Sequence, residues 1–177
     1  MKDFKGNSPF LSLRVLGNTE EVSQYTVLDD LESLTWVLFW TALGMKSRED
    51  KTGGRYNTLS KTEKKWIHRL TSSDHDVLYA GKFTISVEFK EILKVSTLQS
   101  ECIFALSGLF TELFEFHIQV RGVLARILRL DGPHRTEDAG ILLEEATKAH
   151  FDEYFAILDK FLDKGPPISF HPSGSRA

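Results

Sequence analysis

The 177 residues, 41% hydrophobic and 27% charged with a formal net charge of -3, describe one globular domain and exclude wholesale disorder. That balance supplies no basic field for nucleic acid or an anionic lipid surface. The longest apolar stretch, Leu34 to Leu43, is far short of a bilayer span, and no basic-then-apolar leader opens the chain. The single cysteine, Cys102, cannot close an internal disulfide and fits a reducing compartment, so an intracellular, cytoplasmic protein is expected.

Residues 1–28 mix Ser8-Pro9, Gly17-Asn18 and short apolar runs, which predicts irregular chain with one short helix around Leu11–Leu16. From Asp29 the positions Leu31, Leu34, Val37 and Leu38 recur at helical spacing. Asp29 or Asp30 can cap the first free amides. Trp36, Phe39 and Trp40 fill the other faces, so this helix is apolar nearly all round and is expected in the middle of the domain. Gly44 can end it, and 46–57, with Gly53-Gly54, reads as a solvated loop.

Ser60-x-x-Glu63 has the form of a capping box, followed by a buried stripe of Trp66, Ile67 and Leu70 and a wet face of Lys61, Lys64, Lys65 and Arg69. Ser72-Ser73-Asp74 ends or redirects that helix. Residues 80–89 alternate as extended chain would, and Val87–Leu93 suits a short helix equally. A long amphipathic helix then runs from Ile103 to Leu128, interrupted only by Gly108 and Gly122. A last helix opens at Thr136-x-x-Ala139 with the stripe Ile141, Leu142, Ala146, Phe151, Tyr154, Phe155, Leu158 and Leu162. Gly165-Pro166-Pro167 stops it, leaving 164–177 as a disordered tail.

Two stretches carry a resemblance. Asp29-Asp30-Leu31-Glu32-Ser33-Leu34-Thr35-Trp36-Val37-Leu38-Phe39-Trp40 resembles the opening of the central helix of a protein kinase C-terminal lobe. It is similar to the casein kinase one group and closer still to the fungal-type protein kinases. Upstream, Gly6, Pro9, Phe10, Ser12 and Leu16 fall in register with the end of that family's activation segment, with Leu11 replacing its methionine. The closest resemblance covers 6–43.

The resemblance implies a mainly α fold over 1–163, the helical C-terminal lobe of a kinase-like domain without its N-terminal β lobe. It implies that Asp30, with Ser33 in register, braces the catalytic loop, and that Gly6, Asn7, Pro9, Phe10 and Ser12 form the activation-segment end and the floor for a peptide substrate. Asn7 stands where the family has threonine. Arg14 stands where the family has a glutamate paired to a later arginine, so a like-charge contact is expected there. Taken alone, an acid at a helix start is a plain cap; the wider string is what adds the second reading.

Phosphoryl transfer needs a Gly-rich loop, a strand lysine, a His-Arg-Asp loop and an Asp-Phe-Gly. Gly53-Gly54-Arg55, His134-Arg135-Thr136 and Asp3-Phe4-Lys5 satisfy none of these. ATP and Mg are thus implied only for a complete family member, and no cofactor or metal is expected on this chain. His68, Asp74, His75 and Asp76 read as a polar helix end, since their spacing does not set two His on one face. His117 and His150 are expected at the core edge, and Cys102 lacks a basic neighbour to activate it. The expected protein is therefore a truncated, inactive kinase-like chain, a pseudokinase fragment. The alternative is a non-catalytic helical module that binds a protein partner through the uncovered aromatic faces of the Asp30 helix, and a third possibility is an unrelated helical bundle. Neither nucleic acid nor membrane is expected as a partner.

Overall fold

A computed structural model describes residues 10–17, 26–44, 58–95, 98–130 and 137–163, with side chains left out at 128–130 and 137–139. Gly6, Asn7, Pro9, the 46–57 loop, residues 131–136 and the 164–177 tail lie outside the described residues. The protein is mainly helical, and no strand occurs among the described residues. In chain order the helices are α1 (Leu13–Gly17), α2 (Val27–Ala42), α3 (Lys61–Leu70), α4 (His75–Val95), α5 (Glu101–Ala105), α6 (Ser107–Leu130) and α7 (Glu137–Leu162). No helix among the described residues is long and apolar enough to cross a membrane.

α2 joins two hydrophobic clusters. Its C-terminal half gives Trp36, Phe39, Trp40 and Ala42 to the larger one, where they meet Leu16, Trp66, Ile67, Leu78, Ile85, Phe89, Phe110 and Phe114. Phe39 sits at the centre, with ring centroids of Trp66, Phe89, Phe110 and Phe114 between 5.1 and 5.8 Å away. Edge-on aromatic contacts of this kind add to the burial itself. Its N-terminal half gives Leu28 and Leu31 to a second cluster with Leu109, Leu113, Phe116, Val120, Leu124 and Tyr154 from α6 and α7. The helix ends where Leu43 bonds back to Phe39 and Gly44 takes a φ of 75°, a left-handed turn that glycine adopts without strain.

The aromatic faces of α2 are covered by the chain's own helices, contrary to the expectation that they lie open. What remains uncovered is a single edge, with Val27 46%, Leu34 40% and Val37 38% exposed. Residues 80–89 are neither extended nor the edge of a short helix; they belong to the 21-residue α4. The apparent alternation of Phe83, Ile85, Val87 and Phe89 is two helical pairs four residues apart. Ile85 and Phe89 point into the core, and Phe83 and Val87 point out.

The expected continuous helix from 103 is divided at Leu106: a separate short helix, capped at its start by the Ser100 hydroxyl 3.3 Å from the Ile103 amide, ends there. In α7 the inward stripe is Leu143, Tyr154, Ile157, Leu158 and Phe161, while Ile141, Leu142, Phe151, Phe155 and Leu162 are exposed. That helix carries apolar residues on two faces, so spacing alone leaves its rotational phase ambiguous.

Candidate functional site

The polar chemistry of this fold is concentrated on the inner face of α2, one helical turn apart at Asp29, Glu32 and Thr35, all buried. Buried polar groups of this kind persist only when their bonds are made.

Asp29 is the third residue of α2. Its Oδ2 accepts the Thr26 amide at 2.8 Å and the Thr26 hydroxyl at 2.9 Å, closing the helix start. Its Oδ1 accepts the Ser12 hydroxyl at 2.7 Å and Arg14 Nε at 3.1 Å, and Arg14 Nη2 also bonds Oδ2. Burial alone would raise this carboxyl, but the bonds from Arg14, Ser12 and Thr26 outweigh it and hold the pKa below the ordinary 3.8. The like-charge contact expected at Arg14 is replaced by this ion pair.

Glu32 holds the next stretch of the same segment. It accepts the Leu13 amide at 3.0 Å, Trp36 Nε1 at 3.2 Å and Arg121 Nη1 at 3.4 Å. Beside it Lys82, on α4, is fully buried, with its Nζ 4.8 Å from the centre of the Trp36 ring and donating to the Leu11 carbonyl. Phe10 completes the attachment edge-on against Trp40, at 6.4 Å. Residues 10–17 are thus pinned to α2 and α4 by bonds from side chains to their backbone and polar groups.

Thr35 organises a second polar knot. Its hydroxyl lies 3.1 Å from the Leu31 carbonyl, to which it can donate. His117 Nε2 at 2.8 Å and the Tyr154 hydroxyl at 3.1 Å complete its hydrogen bonds. His117 is therefore inside the core, not at its edge. Burial, with the Arg121 charge nearby, pushes its pKa down to about 3, so the ring is neutral. Burial likewise raises Tyr154, partly offset by its bond to Thr35.

Of the residues singled out by sequence, Ser12 and Phe10 lie in the pinned segment. Ser33 turns its hydroxyl to the Asp29 carbonyl at 2.8 Å. Asp30 is exposed, on the same open edge as Val27 and Leu34; the buried acid at the helix start is its neighbour. Asp74 caps α4 by accepting the amides of Asp76 and Val77. His150 lies on α7 against Phe116 and Glu153, and Cys102 is half-buried.

Sequence reasoning gave no site role to Glu32, Lys82 or Arg121. The available signal was a lysine and a glutamate each set within an apolar helical run, which burial makes costly unless they meet. Asp29 and Glu32 are already occupied by hydrogen-bond donors, so they do not fit a magnesium ion or a nucleotide phosphate. Among the described residues no three His, Cys, Asp or Glu converge on a metal position. A scan against protein-family models, a search of curated proteins and a search of solved structures each find no match.

Proposed function

We propose that the chain is the helical, substrate-side lobe of a protein kinase-like fold of the fungal type. Residues 10–17 serve as a floor for a protein substrate, and these residues do not transfer phosphate by themselves. The observation that carries the reading is the clamp. The two stretches in which the resemblance lies are the ones joined by Ser12–Asp29, Leu13–Glu32 and Phe10–Trp40. On this reading Asp30 would brace the catalytic loop of a complete domain, in which ATP, Mg and the transfer of the γ-phosphate to Ser or Thr would reside. Positioning alone makes no phosphoryl-transfer chemistry without base and metal ligands.

Purified chain incubated with Mg·ATP and a Ser/Thr protein substrate is expected to incorporate no phosphate. Magnesium-dependent incorporation would overturn the inactive reading. Mixing the chain with a fungal-type kinase fragment that carries the Gly-rich loop, strand lysine, His-Arg-Asp and Asp-Phe-Gly tests the kinship itself. Phosphorylation is expected in the mixture alone, and is expected to be lost on Asp30→Asn. A mixture that neither associates nor phosphorylates would overturn the lobe assignment.

A second reading, a non-catalytic interaction module, is favoured by the open edge of α2 at Val27, Leu34 and Val37. Exposed apolar patches mark contact surfaces. A monodisperse monomer that binds no hydrophobic dye, or dye binding that Leu34→Asp leaves unchanged, would count against it.

A further inference from the structure

Lys82 is a buried ionisable group whose bond fixes the path of residues 10–17 and whose role neither reading above uses. Its side chain is 0% exposed, its Nζ donates to the Leu11 carbonyl, and the Trp36 ring lies beneath it. Glu32 on α2 acts on it directly and is itself shared with Arg121 from α6 and the Leu13 amide. The Arg14–Asp29 pair lies one turn away on α1 and α2. From α3 the stem of Arg69 packs on the neighbouring Gly81, and His117 on α6 is bonded to Thr35.

An amine enclosed in this way is cut off from water, with the Leu11 carbonyl, the Trp36 ring and the Glu32 carboxylate among its neighbours. Lifting residues 10–17 off α4 removes the Leu11 carbonyl and admits water to the amine. The nitrogen thus sits in two different environments in the attached and detached states.

We propose that Lys82 is a proton-linked latch for residues 10–17, so that detachment of this segment from α2 and α4 takes up one proton on Nζ. Burial, opposed in part by Glu32, lowers the lysine pKa in the attached state from the ordinary 10.5 to about 7. Between those values the detached state holds one proton more than the attached state. Attachment therefore strengthens as pH rises, by about tenfold in the opening constant per pH unit, and the segment is loosest at and below neutral pH. The inference stands on the clamp and is independent of the kinship proposed above.

Backbone amide exchange reads it directly. The amides of Leu13, Val15 and Leu16 are held within the clamp by Glu32, the Ser12 hydroxyl and the Ser12 carbonyl. Under conditions where reclosing outruns exchange, ordinary amides exchange about tenfold faster per pH unit. In the full chain between pH 7.5 and 9.5, the three clamp amides are expected to exchange at a nearly constant rate, because opening falls as intrinsic exchange rises. Core amides such as Phe114, freed only by a larger opening that also exposes Lys82, are expected to exchange more slowly than the clamp amides throughout.

Lys82→Met is expected to restore the tenfold slope to the clamp amides. A tenfold slope in the unmodified chain would overturn the latch, as would a flat profile that persists in Lys82→Met. Clamp amides that exchange no faster than Phe114 would show opening of the whole fold and would overturn a local latch. If Lys82→Met does not fold, Glu32→Gln serves in its place. Removing the supporting charge is expected to extend the flat range below pH 7, and an unmoved range would overturn the proposal.

Discussion

Arg14 forms an ion pair with Asp29 across 15 residues of sequence, the guanidinium 11% exposed and the carboxylate 2% exposed. It joins a five-residue helix that could not persist alone to the first turn of α2. Arg14→Met leaves a buried carboxylate without its cation and is expected to cost about 3 kcal/mol in urea unfolding. The pKa of Asp29 lies below its ordinary value, so the stability it contributes is present above about pH 4 and lost as pH falls through the lowered value. The acid midpoint followed by circular dichroism is expected to rise in Arg14→Met. An unchanged midpoint would show that the pair contributes nothing.

Thr35 is the only bridge between His117 and Tyr154 among the bonds described for them. Thr35→Val keeps the shape and removes the hydroxyl, leaving two buried polar groups short of a partner at about 2–4 kcal/mol. Thr35→Ser is expected to stay within about 1 kcal/mol of the parent in thermal melts. Equal losses in the two variants would assign the effect to packing.

His117 contributes a pH dependence of the opposite chemical origin to Asp29 but the same direction. Below the ordinary 6.5 the unfolded ring takes a proton that the folded ring refuses down to about 3. Stability is therefore lost across that window as pH falls, by up to about 1.4 kcal/mol per unit. His117→Gln is expected to flatten denaturant-derived stability between pH 6.5 and 4, and a slope that survives the substitution would refute the assignment.

Glu63 ties the start of α3 to the chain entering α5, accepting the amides of Ser60, Gln99 and Ser100 at 2.8, 3.1 and 2.7 Å. Glu63→Ala strands three amides and is expected to cost about 3 kcal/mol or more. Glu63→Gln retains one acceptor oxygen and is expected to fall between. Chemical denaturation of both variants orders the three proteins.

A methyl at Gly81 would meet Arg69 Cβ at 2.6 Å, whereas one at Gly122 meets nothing within 4 Å. Gly81→Ala forces α3 and α4 apart and is expected to lose about 1–3 kcal/mol. Gly122→Ala is expected to gain about 0.5–1 kcal/mol from helix propensity. Matching signs for the two substitutions in a melting experiment would contradict the close approach.

α2 and α3 are legible in the sequence because periodicity and side-chain caps act locally. The Ser60–Glu63 box is present as read, with the Glu63 amide 3.2 Å from the Ser60 hydroxyl and the Ser60 amide bonded in return. What local pattern cannot reveal is which of two adjacent acids turns inward. Asp29 does so because Ser12, Arg14 and Thr26 converge on it, and two of these lie more than a dozen residues away. The burial of Lys82 and His117 has the same origin, since each is tolerated only through partners on other helices. The α4 alternation misleads for a different reason: two helical faces sampled at every second residue imitate a strand.

All three tryptophans of the chain, Trp36, Trp40 and Trp66, lie in the cluster around Phe39, and the cluster between α2, α6 and α7 has Tyr154 instead. Intrinsic tryptophan emission is accordingly a one-sided reporter. It registers the opening of the α3–α4 side and is nearly blind to α7 peeling away, an event that far-ultraviolet ellipticity records through the loss of 26 helical residues. Disagreement between the two optical signals during unfolding would measure how independently the halves come apart.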